Sequence, residues 1–145
     1  MANDFNVSNA AALRLADSFD DEVNKGSTAA VIDIRTGAHP ANVDTAATGT
    51  LLATLTFADP AFGAAADANP GGRITADVIT DDSSADNNGT AEHFRIRATG
   101  TGADDVADGT CGASASDLNF NTTSITAGST VSITSFTVTM PEGGT

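Results

Sequence analysis

Apolar positions along the chain recur first at helical and then at strand spacing. Ala12, Leu15, Ala16, Phe19 and Val23 stand three and four residues apart, which places them on one stripe of a helix. Ser8 or Asn9 supplies the N-cap, and the helix is expected to run to about Asn24. Lys25 complements its negative end, and Gly26 takes the position beyond the C-cap. The acids Asp20, Asp21 and Glu22 read as a solvated face. Residues 1–8 form an arm whose apolar handles are Phe5 and Val7, either disordered or, in an oligomer, laid on a neighbour.

From residue 29 the period changes to two. Ala30, Ile32 and Ile34 alternate with Val31, Asp33 and Arg35 in a first strand. A second, TLLATLTFA over 50–58, turns Leu51, Ala53, Leu55 and Phe57 inward. A third, over 73–80, turns Ile74, Ala76 and Val78 inward. In a fourth, over 90–98, Glu92, Phe94 and Ile96 share one face, and His93, Arg95 and Arg97 share the other. Basic side chains on a strand face of an acidic chain are expected to pair with carboxylates across strands or to meet an acidic partner. Polar, Gly- and Asp-rich loops separate these strands at 36–48, 59–72, 81–89 and 99–109. Phe62, inside one of them, must anchor that loop to the core or mark a contact surface. Thr110 and Cys111 begin a short strand.

The densest β-signal is 117–140, DLNFNTTSITAGSTVSITSFTVTM, which reads as two strands joined by a tight turn at Ala127, Gly128 and Ser129. Leu118 and Phe120 share a face. The phase slips between Ile133 and Phe136, which predicts a bulge or a change of sheet near Ser135. A tail follows over 141–145. The chain therefore reads as a single domain over 9–140 between an arm and a tail. One helix, short strands and no βαβ rhythm predict a mainly-β fold: an antiparallel β-sandwich or jelly-roll-like domain with one N-terminal α-helix. Leu55, Phe57, Phe94, Phe120, Ile133 and Phe136 are its expected core.

Composition narrows the function classes. The 145 residues carry 19 acids against six bases, a net charge of −13. Phosphate backbones would repel such a surface, so nucleic-acid partners are not expected, nor is an anionic membrane surface. The single Lys among so many acids also fits a salty setting. With seven Phe but no Trp or Tyr, the core is thin for its length, a deficit that oligomerisation commonly offsets. Cys111 is alone and reads as a small buried hydrophobe. The first residues lack a basic stretch followed by an apolar run, so a secretory leader is not expected and synthesis in the cytoplasm is.

Candidate chemistry is sparse. His39 precedes Pro40 in a turn, His93 lies on a strand, and neither stands at zinc-ligand spacing with Cys111. No local signature supports a Ser/His/Asp triad. The best cation candidate is the loop 81–89, DDSSADNNG, where Asp82, Asp86 and Asn88 offer oxygen ligands, but the closing Glu of a twelve-residue calcium loop is missing. A solvated turn is the favoured reading of that loop. No catalytic, cofactor or metal residues are therefore assigned, and no enzyme activity is expected.

The segments IRTGAHPA, LLATLTFADPAFG and DLNFNTTSITAGSTVSI, within a stretch from about 11 to 142, resemble a family of small structural proteins of tailed bacteriophages and prophages. The matching pieces are strand and turn signatures, so no functional residues carry over. The resemblance implies a virion protein, and within that class a capsid decoration or cement protein. Such a protein sits on the outer surface of the head, contacts the major capsid protein and commonly acts as a homotrimer. The alternatives are a tail or head-to-tail connector component and, in a different class, a glycan- or calcium-binding β-sandwich used in host attachment.

Overall fold

The computed structural model describes residues 5–143 of the chain. Its helix α1 (Asn9–Val23) begins where the capping residue says it should: Ser8 is extended, and its hydroxyl accepts from the Ala11 N–H. Ala12, Ala16 and Val23 are fully buried, Phe19 is half-buried, and Leu15 stays 50% exposed at the margin of the stripe. Asp20 is not the solvated side chain its sequence context suggests. Its Oδ1 accepts from the Phe62 N–H and from the Asn24 side chain, while Asp17 accepts from the Ala65 N–H. Acids on the helix thereby tie down the loop after β2.

The strands are β1 (Thr28–Arg35), β2 (Leu51–Thr56), β3 (Ala66–Asp67), β4 (Gly72–Thr75), β5 (Gly89–Thr90), β6 (His93–Thr99), β7 (Asp104–Gly112), β8 (Leu118–Asn119), β9 (Ser124–Ile125) and β10 (Thr137–Met140). Five form a sheet in the order β2-β1-β6-β7-β8, three a smaller sheet β10-β4-β3, and β5 pairs with β9. The result is the mainly-β domain with one N-terminal helix, its main sheet curled like half a barrel.

Register explains the core. Ile32 stands between Leu55 and Ile96, and Ile34 between Ala53 and Phe94, so these residues share one face of the main sheet. The aromatic rings gather over that face: Phe136 lies 5.5 Å from Phe94 edge-on, 6.4 Å from Phe57 and 6.2 Å from Phe62. Phe62 is thus a core anchor for its loop, with Phe19 of the helix edge-on at 6.0 Å. The helix lies against β4 at Gly72, where a Cβ would stand 2.4 Å from the Ala12 carbonyl oxygen, so only glycine permits that approach. In β2 the register slips between Leu51 and Ala53, which leaves Leu52 as the extra residue and makes it, rather than Leu51, the fully buried side chain.

Four expectations need correction. The 117–140 segment is not a hairpin: β8 pairs in parallel with β7, β9 with β5, and β10 with β4. Alternation sorts side chains between faces, but it does not choose a strand's partner. The expected change of partner does occur, since Val131 bridges to Asp82 whereas β10 joins β4. The region 99–109 is not a loop throughout, because β7 begins at Asp104 and is the longest strand. The third strand is only four residues long, and Val78 is 82% exposed while Ile79 is buried. Phe120 is half-buried against the core rather than within it. The arm and the tail meet: Asn6 bridges to Gly143, and the Val7 N–H donates to the Glu142 carbonyl at 2.6 Å. Residues 1–4, 144 and 145 lie outside the described residues.

Candidate functional site

The polar face of the main sheet also buries side chains, among them Asp33, His93 and Arg95. Arg95 is 1% exposed; its guanidinium donates to both oxygens of Asp108 at 2.6 and 2.7 Å, to Asp105 at 2.6 Å, and to the Thr45 carbonyl at 2.8 Å. Arg97 donates to Asp33 at 2.7 Å, and Asp33 also accepts from the Thr54 hydroxyl. Hydrogen bonding to Asp108 and Asp33, respectively, raises the pKa of each arginine beyond its ordinary value, against the opposing effect of burial. The pairing expected across the strands is therefore intramolecular. It rivets β7 to β6 and holds the loop between β1 and β2 over this face.

Beyond β6 the sheet has an open edge. Apart from its ladder with β6, β7 pairs only at Cys111 and Gly112, with β8, so among the described residues no strand adjoins its 104–109 stretch on the outer side. Strand β10 likewise pairs only with β4. Between them lies a groove of roughly 290 Å³, lined by Ala107, Asp108 and Gly109 on one side and Thr137, Val138 and Thr139 on the other. Its apolar lining includes Phe19, Phe94, Ile96 and Phe136. At Gly109 an added Cβ would stand 2.4 Å from the Phe94 ring, so that glycine lets the aromatic side chain reach the groove. One end of the edge is capped: the Asp117 carboxylate accepts from the Thr110 N–H and hydroxyl, both at 2.8 Å. These bonds hold its carboxyl below the usual carboxylate range, with His39 adding a smaller push in the same direction.

Two unpaired strand edges facing each other across apolar side chains can take up an extended peptide, which supplies main-chain hydrogen bonds and drops alternate side chains into the groove.

In the loop 81–89, Asp82 accepts from the Thr54 and Ser84 N–H groups at 2.9 Å, and Asn88 from the Ala127 N–H at 2.9 Å. The Asp82 carboxylate thereby seals the outer edge of β2, and the Asn88 oxygen holds the turn after β9. Cys111 is buried, and burial pushes its thiol up to about 12. Among the described residues no three His, Cys, Asp or Glu side chains come together as a metal cluster, and no helix is long and apolar enough to cross a membrane.

His39 and His93, remote in sequence, stand together with ring centres 6.4 Å apart. Sequence reasoning kept them separate, because the loop that joins them in space carries no local signature.

No protein-family model matches this chain, and neither a curated protein nor a solved structure shows significant similarity to it.

Proposed function

We propose that this chain is a binding protein without enzymatic activity, a small β-domain that fastens onto a larger assembly through the open edges of β7 and β10. Within that class we assign it as a decoration protein on the outer head of a tailed bacteriophage, reinforcing contacts between capsomers of the major capsid protein. The observation that carries the reading is the groove between two unpaired strand edges, a geometry suited to an extended segment of a partner. The resemblance of the strand and turn segments to phage structural proteins supplies the choice of partner. The net charge of −13 supports it further, since an acidic protein is steered toward basic patches on a shell.

The test mixes purified protein with phage heads that lack it and counts bound copies by mass and cryo-microscopy. Hundreds of copies spread over the shell in threefold clusters are expected. A few copies at one vertex or on the tail would transfer the assignment to a connector or tail component, and no binding to heads would remove the phage assignment.

A further inference from the structure

His93 is fully buried, and its Nε2 is the buried side-chain polar atom left without a hydrogen-bond partner among the described residues. Buried polar groups are nearly always satisfied, so an orphan nitrogen calls for an occupant. Its Nδ1 lies 2.6 Å from the Gly37 carbonyl oxygen. A carbonyl only accepts, so Nδ1 donates to it and Nε2 is the ring nitrogen left open. His39 is arranged in the same way: its Nδ1 lies 2.8 Å from the Pro40 carbonyl oxygen, which leaves Nε2 as its other ring nitrogen.

Two imidazoles whose Nδ1 is turned to a backbone carbonyl are oriented so that Nε2 is the nitrogen offered to a metal. The spacing is close. With metal–nitrogen bonds of about 2.0–2.1 Å, the centres of two rings sharing one ion stand roughly 5–6.4 Å apart. The observed 6.4 Å is the separation for two collinear metal–nitrogen bonds, so a tetrahedral ion would require the exposed His39 ring to shift inward by roughly 1 Å. Two carboxylates stand at the corner: Glu92 accepts from the Gly37 N–H, and Asp117 lies within electrostatic reach of His39. Both favour a cation.

We propose that His39 and His93 form a two-imidazole site for a divalent late-transition-metal ion such as Zn²⁺, Ni²⁺ or Cu²⁺, with water completing the coordination. Imidazole nitrogen selects these ions over Ca²⁺ and Mg²⁺, which prefer oxygen. With only two protein ligands the site is weak, and its effect is structural: the ion would clip the loop between β1 and β2 to β6. The site does not depend on the capsid reading.

The experiment titrates the untagged, metal-stripped chain with Zn²⁺, Ni²⁺ and Ca²⁺ by calorimetry and follows thermal unfolding in each. One Zn²⁺ or Ni²⁺ per chain and a metal-dependent rise in Tm of several degrees are expected, with both lost in His39→Ala. His39 is exposed, so that variant should keep the metal-free Tm and remain informative even where His93→Gln fails to fold. Absence of saturable binding would overturn the proposal and leave a buried water as the partner of Nε2. Binding that persists in His39→Ala, or that follows Ca²⁺ equally, would overturn it as well, assigning the ions to the acidic surface.

Discussion

The two ends of the same sheet are finished differently. At β2 the outer edge is closed by the chain itself: the Asp82 carboxylate takes the Thr54 N–H, the Asn87 side chain donates to the Leu51 carbonyl, the Asp86 N–H donates to the Leu52 carbonyl, and Thr80 bridges to Thr56. At β7, among the described residues, only Thr110 is capped, by Asp117, and no strand pairs with the outer side as far as Gly109. Exposed strand edges invite association, and proteins cover those they do not use. On the reading proposed above, the edge left open beside aromatic side chains is the one kept for contact.

That contrast can be broken from either side. The largest effect is expected at Phe136, whose ring joins Phe57, Phe62 and Phe94 and lines the groove. Phe136→Ala should cost about 3–5 kcal/mol in denaturant unfolding, a large part of a typical stability of ~5–15 kcal/mol. Arg95→Ala should cost a similar amount, about 3–5 kcal/mol, because it leaves Asp108 buried without its partner and frees β7 from β6. Replacing Arg95 and Asp108 together by Met and Leu should recover most of that loss, since the only charged partner then left without Arg95 is the partly exposed Asp105 carboxylate. Equal losses in the single and double variants would show that the ion pair is not what holds β7.

Opening the closed edge should matter less. Asp82→Ala strips the acceptor from the Thr54 and Ser84 N–H groups and should cost about 1–3 kcal/mol, with faster amide exchange confined to β2 and its covering loop. The smallest effect is a pH dependence at the open edge. The Asp117 carboxyl is held below its ordinary value by the Thr110 donors, so it binds a proton less readily in the folded chain than in the unfolded one. Its contribution is therefore present above the unfolded carboxylate value of about 3.9 and is lost as pH falls through the lower folded value. Tm measured across that acid range should decline more steeply in the wild type than in Asp117→Asn.

The closed edge was easier to anticipate than the open one. Helix α1 follows from a local stripe and a local cap, and β1, β2 and β6 follow from clean alternation of branched and aromatic residues with polar ones. Strand β7 reads DDVADGTCG, whose Asp and Gly residues are poor strand formers. It is a strand because Asp108, opposite Arg95, and Asp105, opposite Arg97, both pair with the Arg95 guanidinium, which is information held in another segment. The carboxylates needed by Arg95 and Arg97 were expected in kind, but their positions on β7 and β1 were not. The groove was invisible for the same reason: it exists only once β10 has left its supposed hairpin for β4. The histidine pair needed the loop between β1 and β2 to fold back over β6, and nothing local to either residue announces that.

The most direct test of the open edge as the contact surface is amide hydrogen exchange of the protein alone and bound to phage heads. Binding should slow exchange along 106–109 and 137–140 while leaving β1 and the closed edge at β2 unchanged. Saturated binding with unaltered exchange along both of those stretches would contradict the account and move the contact elsewhere on the molecule.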